Sequence, residues 1–332
     1  MLLGGVLRWP FCLVESIRTS RRAAAAAFAP PPIFIVGHWR SGTTFLHNLL
    51  SHDPTFCFPT ILDALRPFDF YPSPFEIISR TLLLRSLPAV RPMDEMPLQG
   101  NLPQEDEIAM AVMGAPSFFN CFYFPQLMND TFMREVLFED PQPGASDHWA
   151  NSLRHYLGKV ATLHPGRRLL LKNPAHSARI ALLRALFPGA KFIHIHRDPF
   201  DVVASTRKMY ESMMPLVALQ NYDSQMIELQ VVRSYTKLMD RLFDGLADLP
   251  VGDLTEIRYS ELATNPMPIL ANVYQRLSLP EFDRAKPAIS EYARDNVRPF
   301  VTSGMADRQR ADCNAPQLAS YRARLGYGNG SA

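Results

Sequence analysis

The chain has 332 residues, of which 47% are hydrophobic and 20% are charged, as in an ordinary globular protein of one large α/β domain or two small ones. Its 34 Lys and Arg nearly balance its 32 Asp and Glu, and the net charge of +2 excludes a broad basic field for nucleic acid or an anionic membrane. The four cysteines lack the spacing of a disulfide scaffold or a zinc site, which favours a reducing cytoplasm. An anionic ligand must therefore be bound by a local site.

Residues 1–30 combine short apolar stretches with arginines and prolines. No run approaches the roughly 18 apolar residues of a membrane span, so no transmembrane helix is predicted. The arginines follow the apolar stretch, which is the reverse of the order in a signal peptide. We interpret this segment as an amphipathic helix and extension that rests either on the domain or on a membrane surface.

A phosphate-binding loop is predicted near the start of the domain. Residues 33–36 (IFIV) are short, apolar and β-branched, as in a buried strand, and residues 43–50 have helical spacing. Between them, GHWRSGTT has the glycines of a nucleotide-binding loop. Backbone N–H groups and the helix dipole would converge on an oxyanion there. Thr43 replaces the usual lysine, and Arg40 supplies a cation that can fork onto two oxygens.

This loop fits a phosphosulfate better than a nucleoside triphosphate. A P-loop triphosphatase uses its lysine on the β- and γ-phosphates and a Mg²⁺ held by Ser or Thr and a strand-end Asp. The sequence supplies neither that lysine nor an obvious strand-end Asp. A sulfuryl group carries less charge than a terminal phosphoryl group, so side-chain cations and N–H groups could hold it without a metal.

The proline-dense region after the first helix predicts an insertion over the sheet, at about residues 59–165. Its proline-dense part, residues 59–125, shows one clear helix start, at residues 103–107, and long excursions of this kind usually form lids or substrate pockets.

Further buried strands are predicted at residues 56–61, 169–172, 191–196 and 254–259, the first with the weakest pattern. Helical patterns alternate with them. The expected class is therefore a three-layer α/β fold with a central parallel sheet flanked by helices, in a single domain over residues 31–328.

A second anion site is predicted at HRDPFDVVAS, residues 196–205, directly after a strand. Asp198 is a plausible helix N-cap and Pro199 suits the first helical position. Arg197 precedes the cap and Ser205 lies about two helical turns further on. The pair could clamp a phosphate if the strand end bends back over the helix.

These motifs together resemble the sulfotransferase family that uses 3′-phosphoadenosine 5′-phosphosulfate (PAPS), in the branch with arginine in the loop. The match extends through LLLKNPAH, FPGAKFIHIHRDP and IRYSELATNP, over roughly residues 33–280. The resemblance implies the P-loop-like nucleotide-binding sulfotransferase fold and transfer of a sulfuryl group from PAPS to an acceptor hydroxyl, with no metal. It places the 5′-phosphosulfate against Arg40, Ser41, Gly42, Thr43 and Thr44.

The same resemblance assigns four further residues. Arg197 and Ser205 would hold the 3′-phosphate, and Tyr259 would lie near the adenine. Lys172 matches the family lysine that reaches the bridging oxygen or the sulfuryl group, and the end of a parallel strand is an expected place for a ligand group. Arg308 and Arg310 either reach the 3′-phosphate or form a surface charge pair.

The catalytic base departs from the commonest family pattern. Many members have a histidine two residues after the lysine, where this chain has Pro174, and the nearby histidine is His176. Other branches use a glutamate. A predicted helix start offers the carboxylates of Glu105, Asp106 and Glu107, so four candidates stay open.

The Pro- and Phe-rich segment at residues 56–124 predicts an apolar acceptor pocket, compatible with a small molecule, a lipid or a carbohydrate such as a glycolipid. Two other functional classes stay open on the residues alone. One is a P-loop phosphotransferase that uses ATP and Mg²⁺, and the other is a nucleotide-binding protein without catalysis.

Overall fold

The structure is a computed structural model that describes residues 13, 28–68, 74–86, 100–139, 142–280, 282–296 and 316–328. Most of the helix predicted for residues 1–30, together with Arg308 and Arg310, lies outside the described residues. None of the described helices is both long and apolar enough to cross a membrane.

Five parallel strands form the central sheet, in the order β2-β3-β1-β4-β5. The strands are β1 (Ile33–Val36), β2 (Phe56–Cys57), β3 (Arg168–Lys172), β4 (Lys191–His196) and β5 (Leu254–Arg258). The predicted α/β class and its parallel sheet are confirmed. The weakest predicted strand is the shortest one, and β5 ends one residue before its predicted limit.

In the first half of the chain, the described residues include six helices of known bounds around this sheet. They are α1 (Thr43–Leu50), α2 (Ile61–Leu65), α3 (Pro74–Ser86), α4 (Asp106–Val112), α5 (Asn120–Tyr123) and α6 (Met128–Thr131), with a π-helical turn at Phe132–Val136. The sequence indicated one clear helix start between residues 59 and 125, and the described part of that range contains four helices. A short helix is too brief to show a helical period in the sequence. Helix α2, for example, has five residues and is stabilised by a capping box between Thr60 and Asp63.

Eight more helices lie in the part of the second half that the structure describes. They are α7 (Ala145–Leu163), α8 (Ile180–Leu186), α9 (Pro199–Val217), α10 (Ser224–Ala247), α11 (Tyr259–Thr264), α12 (Pro266–Arg276), α13 (Phe282–Asn296) and α14 (Leu318–Arg324). A 3₁₀ turn at Pro174–Ala178 follows β3.

The alternating side chains of β1 divide the core into two apolar layers. Phe34 and Val36 belong to the cluster that includes residues of α7, α9 and α10, whereas Ile33 and Ile35 belong to the cluster with residues of α1, α12 and α13. All four β1 side chains are fully buried. In this order, the chain runs from β1 toward β2 on one side and from β4 toward β5 on the other. Such a reversal between adjacent parallel strands, here β1 and β4, is where a ligand-binding crevice is expected, beyond the carboxyl ends of the strands.

Candidate active site

The loop after β1 is packed so closely that two of its residues must be glycine. A Cβ on Gly37 would lie 2.3 Å from the carbonyl oxygen of Ile195 in β4, and a Cβ on Gly42 would lie 2.1 Å from the ring of Tyr259. Both glycines have positive φ, 142° and 99°, and Arg40 also has a positive φ of 68°. The loop is therefore pressed between β4 and the start of α11.

The geometry of the loop exposes backbone donors at one point. The Ser41 hydroxyl donates to the carbonyl oxygen of His38 at 2.7 Å, which closes the turn. Gly42 is the N-cap of α1 and provides no capping side chain, so the first N–H groups of the helix, from Thr43 onward, are left to a ligand or to solvent. These groups suit an oxyanion.

The two predicted anion motifs meet, although 165 residues separate their contacting members. Arg40 Nε donates to Ser205 Oγ at 3.1 Å. Arg197 lies with its guanidinium carbon 5.5 Å from the ring centroid of Tyr259, and its Nε is 3.5 Å from Asp201. Because Tyr259 also contacts Gly42, the arginine after β4, the ring and the loop form one continuous surface.

A residue that the sequence did not indicate supports this surface from the C-terminal helix. Arg322 of α14 donates through Nε to Asp198 Oδ2 at 2.9 Å, while Asp198 Oδ1 caps α9 by accepting from the N–H of Phe200. The arginine lies 124 residues from its partner and carries no local signal. Only the folded chain reveals this brace on the corner between β4 and α9.

Lys172 joins the loop helix to the region that covers the sheet. Its Nζ lies 2.5 Å from Glu105 Oε1 and 3.3 Å from Thr44 Oγ1. The lysine side chain is 3% exposed, whereas that of Glu105 is 18% exposed. One ammonium group therefore contacts both the start of α1 and the residue that precedes α4.

The other three candidate bases lie beneath this contact. Asp106, Glu107 and His176 are each at most 1% exposed. His176 Nε2 lies 2.8 Å from Asp106 Oδ2. Burial alone would raise the pKa of Asp106, but the ion pair with His176, hydrogen bonds from His176 and Asn173 and the charge of Arg179 together lower it.

A mostly apolar cavity of about 230 Å³ opens beside Glu105. Its walls come from the loop, the start of α1, α2, α4, α5, α9 and the 3₁₀ turn after β3, with neighbouring connections. The lining residues are Trp39, Arg40, Thr43, Thr44, Ile61, Gln104, Glu105, Ile108, Phe118, Phe119, Phe122, Pro174, Met209 and Met213. Glu105 is the one carboxylate among these residues of the described chain. The rings of Trp39 and Phe118 stack with centroids 4.1 Å apart.

Sequence reasoning predicted the polar side of this cavity and an apolar side from the Pro- and Phe-rich segment at residues 56–124, but it missed Trp39, Met209 and Met213. Trp39 lies inside the quoted loop, yet nothing in the sequence pairs it with Phe118. Met209 and Met213 follow the second anion motif at helical spacing, which is also the pattern of ordinary core residues. Across the described ranges, no group of three or more His, Cys, Asp or Glu could hold a metal ion.

Comparison with known proteins identifies relatives over most of the chain. The profile of the Sulfotransferase family matches residues 31–284. Omega-hydroxy-beta-dihydromenaquinone-9 sulfotransferase Stf3 of Mycobacterium bovis is 34% identical over 285 residues, which are 86% of this chain and 72% of the relative. The protein of the same name from Mycobacterium tuberculosis gives the same values.

Two solved structures share the fold. Sulfotransferase STF9 from Mycobacterium avium has a TM-score of 0.77 at 16% identity and covers 95% of this chain and 81% of its own. Sulfotransferase STF1 from Mycobacterium tuberculosis H37Rv has a TM-score of 0.64 at 17% identity, with 96% and 82% covered. On the family profile and the 34% identical relative, this chain belongs to the sulfotransferase family and is an enzyme that transfers a sulfuryl group.

Proposed function

We propose that the chain transfers a sulfuryl group from PAPS to the hydroxyl of an apolar acceptor, either a small molecule or a lipid. The proposal depends mainly on one observation: the anion-binding loop and the apolar cavity share residues. Arg40, Thr43 and Thr44 belong to the anion-binding loop and also line the apolar cavity. An acceptor in that cavity would lie against the group that the loop holds.

The donor side fits PAPS through residues that are already arranged for anions. Gly37 and Gly42 allow the close approaches that shape the loop, and the start of α1 offers N–H groups for the 5′-phosphosulfate. Arg40, Thr43 and Thr44 can supply further donors, whereas the predicted ligand Ser41 uses both its hydroxyl and its N–H to close the turn on His38. Arg197 and Ser205 are the proposed ligands of the 3′-phosphate, and the ring of Tyr259 is the proposed face for the adenine.

Glu105 is the base that the geometry supports best among the four candidates. It lines the cavity, whereas Asp106, Glu107 and His176 are buried and engaged with one another or with neighbouring residues. A general base must lie within hydrogen-bond reach of the proton that it accepts. Glu105 can meet a hydroxyl in the cavity without rearrangement of the buried core.

The proposed reaction is an in-line displacement. The acceptor oxygen forms a bond to sulfur, the bond between sulfur and the bridging oxygen breaks, and 3′-phosphoadenosine 5′-phosphate leaves. The acceptor proton passes to Glu105. Lys172 and Arg40 stabilise the negative charge that develops on the bridging oxygen and on the sulfuryl oxygens.

An apolar acceptor is supported by the cavity and by the relative. Aromatic and Met side chains form most of the wall, including Trp39, Phe118 and Met213. The 34% identical relative is named for a hydroxylated dihydromenaquinone, and we extend that acceptor chemistry to this chain. The class proposed is a hydroxyl group carried on an apolar body.

The donor assignment is tested by calorimetric titration of the protein with 3′-phosphoadenosine 5′-phosphate and with ADP, both in EDTA. Charge-assisted contacts to the 3′-phosphate should make the first ligand bind about 10- to 100-fold more tightly. Arg197→Ala and Ser205→Ala should reduce this preference, whereas Arg233→Ala, at an exposed arginine, should keep it. Equal affinity for the two nucleotides would contradict the assignment.

A further inference from the structure

The residue that precedes α4 is held by neighbours rather than by its own helix. Glu105 is the N-cap of α4 but makes no side-chain capping bond, and α4 has only seven residues. A helix of this length is not stable in isolation. Something else must fix the position of Glu105 at the cavity.

Asn173 directly follows Lys172 at the end of β3 and bonds the two residues that follow Glu105. Its side chain is fully buried, and Nδ2 donates to Asp106 Oδ1 at 2.9 Å and to Glu107 Oε2 at 2.7 Å. Its Oδ1 accepts from the N–H of Ala175 at 2.9 Å, which caps the 3₁₀ turn. The amide orientation is fixed, since the opposite one would turn the carbonyl oxygen toward two carboxylates.

Two basic side chains after β3 contact the same two carboxylates that Asn173 binds. His176 Nε2 lies 2.8 Å from Asp106 Oδ2, and Arg179 Nη1 lies 3.6 Å from Glu107 Oε2. Buried carboxylates are costly unless they are paired and hydrogen-bonded. The start of α4 is therefore anchored to the segment after β3 by bonds that cannot be exchanged for water.

We infer that Asn173 is a positioning residue that holds Glu105 against Lys172 through Asp106 and Glu107. The inference rests on the proposed role of Glu105 as base. Neighbouring residues pair with neighbouring residues: Lys172 with Glu105, and Asn173 with Asp106 and Glu107. A shift of α4 along β3 would break all of these contacts together.

The anchor also reaches the acceptor side. Glu107 Oε1 accepts from the backbone N–H of Phe118 at 2.5 Å, and Phe118 stacks on Trp39 in the cavity wall. Glu107 is thus bonded both to Asn173 and to the wall against which the acceptor would lie. The positioning of the base and the shape of the cavity depend on the same buried contact.

The test compares turnover with PAPS across substituted phenols of graded acidity. Acidic phenols need little help from a base, so a defect in base catalysis shrinks as acceptor acidity rises. Asn173→Ala should lower kcat about 10- to 100-fold for the least acidic phenols, with a smaller loss for the most acidic ones. Affinity for 3′-phosphoadenosine 5′-phosphate should stay within about twofold, since the donor loop is untouched.

Two further variants keep the result interpretable. Asp106→Asn preserves shape while it removes the carboxylate that binds Asn173 and His176, and it should show the same graded loss even if Asn173→Ala does not fold. Asn48→Ala is the matched control, because Asn48 is also a buried asparagine but bonds Tyr292. It should show wild-type kcat across the series.

Glu105→Gln distinguishes a failure of the base assignment from a failure of the positioning role of Asn173. If it shows a graded loss while the Asn173 and Asp106 variants show none, or show an equal loss for every phenol, the positioning role is overturned and the base assignment stands. If Glu105→Gln keeps wild-type kcat for every phenol, the base assignment fails, and the positioning role fails with it.

Discussion

The donor side and the acceptor side of the site are built in different ways. The proposed donor side is drawn mainly from residues 37–44 and 196–205, two short segments at the ends of adjacent parallel strands. The acceptor cavity takes side chains from the loop, from five helices and from the segments that connect them. Anion binding thus depends on local backbone geometry, whereas the cavity depends on how distant helices pack.

This difference predicts separable effects of substitution. Substitutions on the apolar wall of the cavity should change KM for the acceptor and leave nucleotide affinity intact. Substitutions in the loop should reduce nucleotide affinity, whichever acceptor is used. The sides meet where Lys172 contacts both Thr44 and Glu105. Substitutions at that junction should have the largest effects on turnover.

Glu105→Gln should have the largest effect. Loss of a general base typically costs about 10²–10⁴ in rate, so single-turnover sulfation of an apolar alcohol should slow by that factor. Nucleotide affinity should not change, because Glu105 lies on the acceptor side of the junction. A rate within twofold of the wild type would remove Glu105 from the mechanism.

Arg40→Ala should lower kcat/KM by about 10²–10³, the usual cost of removing one group that stabilises charge in the transition state. In contrast to Glu105→Gln, it should also weaken binding of 3′-phosphoadenosine 5′-phosphate, which calorimetry measures directly. Arg233→Ala is the matched exposed control. If Arg40→Ala bound the nucleotide as tightly as the wild type, Arg40 would not be a ligand of the donor.

Acid should destabilise the fold through buried histidines on the donor side. Burial lowers the pKa of His38 from 6.5 to about 4. As the pH falls, His38 is therefore protonated in the unfolded chain before it is protonated in the folded one. Its contribution to the free energy of unfolding is fully present above pH 6.5 and is lost as the pH falls toward 4. The free energy of unfolding should fall by about 1.4 kcal/mol per pH unit for this group between pH 6 and 5.

Urea unfolding at pH 7, 6 and 5 measures this slope. His38→Gln should reduce the slope by the contribution of one proton, because glutamine does not titrate. His52→Gln, at a partly buried histidine, is the comparison variant. An unchanged slope in His38→Gln would show that the acid sensitivity arises elsewhere.

Phe119→Ala should have the smallest effect. Phe119 is half-buried at the cavity wall, so its loss should raise KM for an apolar acceptor about fivefold, less than full burial of an aromatic ring would give. Steady-state kinetics with the acceptor varied should show this, with KM for PAPS unchanged. A parallel rise in KM for PAPS would mean that the two sides are not separable.

Much of the fold and the candidate donor side could be predicted from the sequence because their signals are local. The IFIV run, the glycines of the loop and the N-cap Asp198 each predict their own conformation. On the acceptor side, the composition of residues 56–124 predicted an apolar pocket, but not which side chains line it. Phe118 reaches Trp39, and Met213 reaches the cavity, through contacts between segments that have no sequence relationship.

The choice among candidate bases shows the same limit. Glu105, Asp106 and Glu107 are consecutive, and local rules favour all three equally at a helix start. Their burial differs because Asp106 and Glu107 face the segment after β3, and His176 is drawn into the same contact. Only tertiary packing distinguishes the partly exposed carboxylate of Glu105 from its fully buried neighbours.

The most direct test of the central claim is to follow the sulfuryl group itself. The protein would be incubated in EDTA with ³⁵S-labelled PAPS and a hydroxylated isoprenoid quinol, with Glu105→Gln as the control, and products would be identified by mass. The account predicts a labelled sulfate ester, formed one-to-one with 3′-phosphoadenosine 5′-phosphate and nearly absent with the variant. Release of inorganic sulfate without an ester, for this and other apolar alcohols, would contradict it.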